Sequence, residues 1–283
     1  MSVTIRDLQE LKGDGRRFAM LTAYDYPVAR IIDEAGVPVI LVGDSVANTI
    51  LGYPDTLPMT MDEMLHHCRA VRRGVTNALL VGDMPFMSYQ VSVEEGMRNA
   101  GRFLKEAGVN AVKLEGPEVE LTSRLTRVGI PVMAHVGLTP QSVNQMGGYR
   151  VQGKSDDAAE RIEREALALQ EAGAFAIVLE GVPSDLGRHL TELLTIPTIG
   201  IGAGPGTDGQ VLVIWDLLGL NDRVAKFVKR YANLRGEIAG AVAAFKSEVE
   251  SGVFPDEQHS YSGGRLYGAG ENATTTAAQA PAR

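Results

Sequence analysis

EAGVPVILVGDS (34–45) joins the end of a helix to a short apolar run and then to an aspartate. The phrase EAG closes two further segments, at 106–108 and 171–173, and an apolar run follows within a few residues each time. Glycine commonly ends a helix because it adopts a left-handed conformation without a steric penalty. A continuous run of Val, Ile and Leu is typical of a strand that is buried on both faces. The repeated phrase therefore predicts βα units that build a parallel sheet.

Eight such apolar runs recur along the chain, and amphipathic patterns fill most of the gaps between them. Apolar residues spaced three and four apart predict helices over 28–35, 61–73, 93–107 and 158–172. This alternation favours an α/β fold, a closed (β/α)₈ TIM barrel, over an open doubly wound sheet. The loop GAGPGTDGQ (202–210), between the last two runs, leaves no room for a full helix. The eight predicted strands are Phe18–Tyr24, Pro38–Gly43, Ala78–Gly82, Ala111–Leu114, Pro131–His135, Phe175–Leu179, Pro197–Ile201 and Val211–Trp215.

The C-terminal part of the chain changes in composition. Asp216–Ala239 and a further helix that ends near Glu250 are predicted to form an outer helical layer. Farther on the chain is rich in Gly, Ser, Ala and Thr, which cannot bury enough apolar area to fold. We therefore predict one catalytic barrel domain over residues 1–258 and a disordered tail over residues 259–283.

Composition and charge exclude several classes of protein. The net charge of −8 argues against broad affinity for nucleic acid or anionic membranes. No apolar run approaches the roughly 20 residues that span a bilayer, and the polar N-terminal segment lacks an apolar signal core. We expect a cytoplasmic protein with no nucleic-acid or membrane partner. The one cysteine, Cys68, cannot form an internal disulfide and is expected to be a small buried side chain in a helix.

Charged residues stand where the predicted strands end, which in a βα barrel is the rim that carries the active site. Desolvating a charge at the end of a buried strand is costly unless the charge has a partner. Several acids that converge on one rim therefore call for a cation. The strand ends carry Asp25, Asp44 with Ser45, Asp83, Lys113 with Glu115, His135, and Glu180.

Three of these acids have the pattern of a metal site. Asp44 and Asp83 occupy the same position in two units, directly after an apolar run and a glycine. Glu115 follows Lys113 by two residues, so both side chains point to one face of the fourth strand. Three carboxylates from three strands suit Mg²⁺, with water and substrate completing the octahedron. The simpler alternative is that Asp44 or Asp83 caps the following turn or helix.

Lys113, His135 and Glu180 leave several roles open. Lys113 can balance Glu115, bind a substrate carboxylate, or form a Schiff base as in pyruvate-type aldolases. His135 is either a structural residue or part of the site. Glu180 suits a general acid or base, with helix capping as the alternative. The polar loop 135–154 is either a functional lid or a passive surface loop.

Several longer phrases resemble the ketopantoate hydroxymethyltransferase family, and the resemblance covers about residues 5–255. The most specific phrases are VKLEG (112–116) and GLTPQSVN (137–144). The others are VGDS (42–45), TLPMTMDEM (56–64), AVRRG (70–74), DMPF (83–86), GGYRVQG (147–153) and GIGAG (200–204).

The resemblance implies a (β/α)₈ barrel of the phosphoenolpyruvate/pyruvate superfamily that performs an aldol-type one-carbon transfer. The implied reaction moves a hydroxymethyl group from the co-substrate 5,10-methylenetetrahydrofolate to 3-methyl-2-oxobutanoate through a magnesium-stabilised enolate, and it forms 2-dehydropantoate for pantothenate biosynthesis. The resemblance also implies a homodecamer, with Lys113 as charge partner and substrate clamp rather than Schiff base. The implied roles are Mg²⁺ binding for Asp44, Asp83 and Glu115, keto-acid binding for Asp44, Ser45, Asp83, Lys113 and His135, and proton acceptance for Glu180.

Two other functions remain as alternatives. One is a lyase or mutase of the same superfamily that acts on another 2-keto acid. Such enzymes usually carry a cysteine in a catalytic loop, whereas Cys68 lies in a predicted helix. The other is a non-catalytic barrel that serves in binding or assembly, which predicts replaced catalytic residues, although every expected position is filled.

Overall fold

The computed structural model describes residues 2–261. Its eight strands all pair in parallel and close into a barrel in sequence order, with the last strand beside the first. The predicted (β/α)₈ TIM barrel is therefore confirmed. The strands are β1 (Phe18–Thr22), β2 (Val39–Val42), β3 (Leu79–Asp83), β4 (Ala111–Lys113), β5 (Val132–Gly137), β6 (Ala176–Glu180), β7 (Thr198–Ile201) and β8 (Gly209–Leu212).

Helices follow most of the strands, and local sequence explains where several of them begin and end. Thr60 and Glu63 form a reciprocal capping box at the start of the helix that begins at Met61. The glycines of the three EAG phrases adopt positive φ angles, as helix-ending glycines do. The helices are α1 (Ile5–Gly13), α2 (Tyr26–Glu34), α3 (Val46–Thr49), α4 (Met61–Gly74), α5 (Val93–Ala107), α6 (Val119–Arg127), α7 (Val143–Met146), α8 (Asp156–Glu171), α9 (Ser184–Leu193), α10 (Ile214–Leu217) and α11 (Leu234–Ser251), with 3₁₀ turns at Pro140–Ser142 and Glu257–His259.

The barrel interior is apolar at one end and polar at the other. We call the end where the strands begin the lower end and the end where they finish the upper end. Leu8 of α1 is fully buried in one cluster with Phe18 and Met20, so α1 contributes to the apolar packing of the barrel. The same cluster contains Val39, Val81, Met133 and Ile199 from other strands. The charged side chains that line the interior lie at the upper end, where βα-loops build active sites.

The last strand differs from the prediction of Val211–Trp215. It begins at Gly209 and ends at Leu212, and Trp215 lies in α10 instead. The Ile214 N–H donates to the Thr22 hydroxyl at 3.0 Å, which turns the chain out of the sheet. A side chain at position 209 would meet the Phe18 ring, since a Cβ there would lie 2.7 Å from it. Glycine thus lets β8 start two residues earlier than its apolar residues indicate.

The helical layer predicted over 216–239 is also wrong in its extent. Between α10 and α11, residues 218–233 form no helix. The N–H groups of Tyr231 and Leu234 donate to the carbonyls of Leu217 and Leu218, so the chain folds back over the end of α10.

The chain divides into two compact units, Met1–Leu234 and a second unit from Arg235 onward. The barrel lies in the first unit, and the second contains most of α11. A single domain over residues 1–258 remains a prediction. The predicted disordered tail at 259–283 lies outside the described residues from position 262 onward. Within residues 2–261, no helix has the length and apolar character needed to cross a membrane.

Candidate active site

All but one of the charged residues predicted at the strand ends meet at the upper end of the barrel. They come from the ends of five consecutive strands, β2 to β6, or from the loops that directly follow them. They line one cavity of about 360 Å³, a size within the range of small-molecule sites. The predicted residues that line it are Asp44, Ser45, Asp83, Lys113, Glu115, His135 and Glu180. All site residues predicted from the sequence are thus brought together.

Asp25 behaves differently from the other strand-end acids. Its carboxylate accepts a hydrogen bond from the Val28 N–H at 2.9 Å and caps α2. It does not line the cavity. A capping role therefore accounts for this residue.

Asp44, Asp83 and Glu115 form a compact cluster of buried carboxylates. One oxygen from each lies within 4.8 Å of the others. Lys113 Nζ lies 2.7 and 2.8 Å from the two Asp83 oxygens and 3.4 Å from Glu115 Oε1. When ionised, the three carboxylates outnumber the one lysine beside them, and a divalent cation would offset the excess negative charge.

The pKa values of these acids diverge because Glu115, alone among the three, contacts both Lys113 and His135. Burial raises the pKa of Asp44 well above its ordinary value, and the charges of Asp83 and Glu115 raise it further. Burial also acts to raise the pKa of Glu115, but Lys113 and His135 outweigh it and lower the pKa to about 2. Within the described residues, the one hydrogen bond to the Asp44 carboxylate comes from Gln141 Nε2, at 3.1 Å from Oδ2. Asp44 is therefore a buried acid without a nearby cation of its own.

This arrangement fits a hard divalent cation. Carboxylate oxygens are the ligands that Mg²⁺, Mn²⁺ and Ca²⁺ prefer. The uncompensated burial of Asp44 is costly unless a positive charge binds beside it. The acidic cluster can therefore hold a metal ion.

His135 lies between two carboxylates. Its Nδ1 is 3.4 Å from Glu115 Oε1, and its Nε2 is 3.3 Å from Glu180 Oε2. Neither nitrogen makes a well-aligned hydrogen bond in the described part of the chain. Burial and Lys113 lower the pKa of His135, but Glu115 and Glu180 outweigh them and raise the pKa to about 9. Both ring nitrogens can thus serve as donors inside the cavity.

Glu180 and Ser45 occupy other parts of the cavity wall. Glu180 ends β6, and its side chain keeps 16% of its surface exposed, far more than the buried acids do. The Ser45 hydroxyl lies 2.7 Å from the buried hydroxyl of Tyr24. Ser45 is therefore held in place by a neighbour that the sequence patterns did not indicate.

Other residues of the site also escaped sequence reasoning. Gln141 and Tyr89 are buried beside the acids, and both come from loops without a helix or strand pattern. Pro140 and Tyr149, from the loop proposed as a lid, line the cavity. The only sequence signal for Gln141 was its place in the phrase GLTPQSVN. The buried Cys68 of α4 matches its predicted structural place.

Solved structures share this fold at low sequence identity. Phosphonopyruvate hydrolase, solved in complex with oxalate and Mg²⁺, superposes with a TM-score of 0.59 at 15% identity over 91% of this chain and 93% of its own. The 2,3-dimethylmalate lyase of the PEP mutase/isocitrate lyase superfamily gives 0.58 at 17% identity over 91% of this chain and 92% of its own. At these identities the likeness supports the barrel fold alone.

Sequence comparisons are far more specific. The family model for ketopantoate hydroxymethyltransferase matches residues 2–257. The 3-methyl-2-oxobutanoate hydroxymethyltransferase of Syntrophus aciditrophicus is 56% identical over 92% of this chain and 96% of its own length. The protein of that name from Geobacter sulfurreducens is also 56% identical, over 92% of this chain and 98% of its own. The chain therefore belongs to the ketopantoate hydroxymethyltransferase family.

Proposed function

We propose that the chain transfers a hydroxymethyl group from 5,10-methylenetetrahydrofolate to 3-methyl-2-oxobutanoate and forms 2-dehydropantoate, a step of pantothenate biosynthesis. The observation that carries the proposal is the buried cluster of Asp44, Asp83 and Glu115 beside Lys113, in a cavity that also contains Glu180. Relatives that share more than half of its residues bear the name of this activity.

Asp44, Asp83 and Glu115 would hold the divalent cation, with Mg²⁺ as the proposed ion. Their oxygens are close enough together to share one ion, and their excess negative charge beside Lys113 would attract it. A divalent cation bound there would polarise the keto carbonyl and acidify the proton on the neighbouring carbon, C3.

The keto acid is proposed to bind beside this cluster through Ser45, Lys113 and His135, with Asp44 and Asp83 bordering it. Lys113 supplies the positive charge that attracts the substrate carboxylate. Ser45 offers a hydroxyl donor, and the ring of His135, which lies between Glu115 and Glu180, offers N–H groups. These donors face an anion whose negative charge grows on oxygen when the enolate forms.

Glu180 is proposed to accept the C3 proton. Its side chain lines the same cavity, and its Oε2 lies 3.3 Å from Nε2 of His135. The C3 carbanion equivalent of the enolate then bonds to the methylene carbon of the folate iminium, and the carbon–nitrogen π bond breaks toward nitrogen. Water then displaces that nitrogen: its oxygen becomes the hydroxyl group, and its proton goes to the nitrogen as tetrahydrofolate leaves.

Lys113 is better suited to a charge role than to a Schiff base. Burial alone lowers the pKa of Lys113, but the charges of Asp83, Glu115 and Asp44 outweigh it and raise the pKa. A Schiff base requires an unprotonated amine. The position of Lys113 between Asp83 and Glu115 keeps it protonated, which disfavours the aldolase-type alternative.

Two further parts of the proposal concern where the folate binds and how copies of the chain assemble. The loop that carries Pro140 and Tyr149 borders the cavity and is a candidate to cover the folate. A homodecamer is proposed by family resemblance. It is supported by exposed apolar residues of α11, spaced four, three and four apart, which a neighbouring copy could bury: Ile238, Val242, Phe245 and Val249.

The test is product formation by the purified full-length chain. With 3-methyl-2-oxobutanoate, 5,10-methylenetetrahydrofolate and Mg²⁺ present, NMR should show 2-dehydropantoate, and omission of any one should abolish it. Cleavage of another 2-keto acid, with no product from this pair, would favour the superfamily lyase or mutase. No reaction with either would favour a non-catalytic barrel.

A further inference from the structure

Gln141 links the loop after β5 to the acidic cluster. It lies in the 3₁₀ turn Pro140–Ser142, and only 5% of its surface is exposed. Its side-chain Nε2 donates to Asp44 Oδ2 at 3.1 Å and to the Met84 carbonyl at 2.9 Å. Its backbone N–H donates to Glu115 Oε2 at 3.0 Å. One residue of the loop therefore contacts two of the three acids.

Tyr89 helps to fix which way the Gln141 amide points, together with Gln90, whose Nε2 donates to Gln141 Oε1 at 3.3 Å. The Glu115 N–H donates to the Tyr89 hydroxyl oxygen at 3.1 Å, so the hydroxyl proton is free to go elsewhere. That hydroxyl donates to Gln141 Oε1 at 2.8 Å. A flipped amide would put its oxygen against Asp44 and the Met84 carbonyl, which are both acceptors. The network thus admits one orientation, with the NH₂ group toward Asp44.

We propose that Gln141 is a positioning residue that holds Asp44 and Glu115 in the arrangement that binds the metal ion. The inference rests on the metal centre of the proposed function. An amide fixes a carboxylate by hydrogen bonding but carries no charge, so it orients Asp44 without replacing the cation. It occupies Oδ2 and leaves Oδ1 of Asp44 without a donor from the described residues. Partners of this kind orient metal-ligating carboxylates in other proteins.

The same contacts couple the loop to the metal ion. Moving the turn Pro140–Ser142 away from the barrel must break the bonds of Gln141 to Asp44 and Glu115. A metal ion that requires those two carboxylates in place then also favours the ordered loop, and the coupling acts equally in both directions. The loop after β5 is therefore part of the metal centre as well as part of the cavity wall.

The test measures Mg²⁺ binding to the full-length protein by calorimetry, without keto acid or folate. Gln141→Leu keeps the side chain close in size and removes both polar ends. Its Kd for Mg²⁺ should rise roughly tenfold to a hundredfold, as for other residues that support metal ligands. Gln145→Leu, four residues along the same loop and exposed, is the matched control and should bind Mg²⁺ like the parent.

Tyr89→Phe is the second variant, for the case that Gln141→Leu does not fold. It removes one of the two donors to Gln141 Oε1, and Gln90 Nε2 at 3.3 Å remains as the other. The Gln141 amide is then held less firmly, so the Kd should rise in the same direction by a smaller factor. Hydrogen exchange of residues 139–146 provides a further readout. Mg²⁺ should slow it in the parent protein and have little effect in Gln141→Leu.

Two results would overturn the inference in different ways. Unchanged Mg²⁺ affinity in folded Gln141→Leu, or in Tyr89→Phe where that variant is needed, removes the positioning role and leaves the metal centre intact. A parent protein that binds no Mg²⁺ removes the metal centre itself, and with it both this inference and that part of the proposed function.

Discussion

Carboxylates at the two ends of the barrel have opposite surroundings. At the lower end, the Asp33 carboxylate accepts hydrogen bonds from backbone and side-chain donors of Thr76, Asn77 and Ala78, the residues that lead into β3. Asp208, just before β8, accepts from Lys12 at 2.8 Å and from the N–H and hydroxyl of Thr198. Both of these carboxylates are surrounded by donors.

At the upper end, three buried carboxylates share one lysine. Asp44 receives one side-chain amide and faces the charges of Asp83 and Glu115. The pKa shifts follow the contrast. Burial acts to raise the pKa of Asp33, but the N–H groups of Ala78, Thr76 and Asn77 outweigh it and lower the pKa. For Asp44, burial and the charges of Asp83 and Glu115 raise the pKa and outweigh Lys113 and the Gln141 hydrogen bond, which lower it.

The difference separates acids that stabilise the fold from acids that we propose bind a metal ion. A carboxylate whose acceptor sites are filled by the protein stabilises the folded state. A carboxylate left among other carboxylates destabilises it until a cation binds. In βα barrels the upper end carries the chemistry and the lower end carries stability, and the acids of this chain follow that division.

The largest expected effect comes from Asp44→Asn. Removing this charge should lower kcat/KM by roughly a thousandfold or more, because the metal ion loses a ligand and the enolate loses its stabilisation. The melting temperature in EDTA should stay the same or rise, because the variant lacks a buried negative charge that Asp83 and Glu115 repel. Steady-state kinetics and thermal denaturation of the same preparation measure both.

The matched control is Asp25→Asn, another aspartate that follows a barrel strand. Asparagine caps a helix as well as aspartate does, so activity and stability should both stay close to those of the parent. Retained activity in Asp44→Asn, or unfolding of that variant in EDTA, would contradict the assignment of the upper end to metal binding.

Glu180→Gln should have the next largest effect. The amide keeps the size of the side chain but cannot accept the C3 proton, so kcat should fall roughly a hundredfold to ten-thousandfold. Keto-acid and Mg²⁺ binding, measured by calorimetry, should be nearly unchanged. Loss of that binding with a modest loss of rate would make Glu180 a substrate-positioning residue instead.

Asp33→Asn should affect stability and leave the chemistry alone. The NH₂ group of the introduced amide would face donors, so the free energy of unfolding at pH 7 should fall by about 2–3 kcal/mol. The Asp33 pKa is lowered in the folded state, so its contribution is complete above the unfolded pKa of about 4 and is lost as the pH falls through the folded pKa. Urea denaturation from pH 7 to pH 3 should therefore show the two proteins converging below about pH 4.

The kinetic comparison completes this test. Folded Asp33→Asn should retain the kcat/KM of the parent, which Asp44→Asn does not. A constant stability difference down to pH 3 would show that the Asp33 charge is not what stabilises the lower end.

Lys12→Met should have the smallest effect. Lys12 is partly buried and donates to Asp208 and to the Thr191 carbonyl, so its loss should cost about 1 kcal/mol of unfolding free energy. The turnover rate should not change, because Lys12 lies at the opposite end from the cavity. A large loss of activity would break the division between the two ends.

The sequence alone predicts most of the strands and most of the acids at the upper end. The apolar runs located the strands to within a few residues because strands buried on both faces leave a continuous signal. Strand ends then located Asp44, Asp83, Glu115 and Glu180, since a barrel brings all its strand ends to one rim.

The rest depends on contacts that no local pattern encodes. The predicted end of β8 was wrong because residues 213–215 are as apolar as a strand. The hydrogen bond from the Ile214 N–H to Thr22, which local sequence does not indicate, accompanies the turn into α10. Gln141 and Asp33 were not singled out, because their importance lies in partners far along the chain. Asp25 and Asp44 look alike in the sequence, and only the fold separates a cap from a site residue.

The central claim is that the acids at the upper end activate a 2-keto acid for proton loss at C3. Proton NMR of 3-methyl-2-oxobutanoate in D₂O with the purified protein tests it directly, with Mg²⁺ and with EDTA. We expect the C3 proton to exchange for deuterium with Mg²⁺ present, at a rate that Asp44→Asn abolishes and Asp33→Asn preserves. No exchange above the rate without protein, or exchange that persists in EDTA and in Asp44→Asn, would contradict the claim.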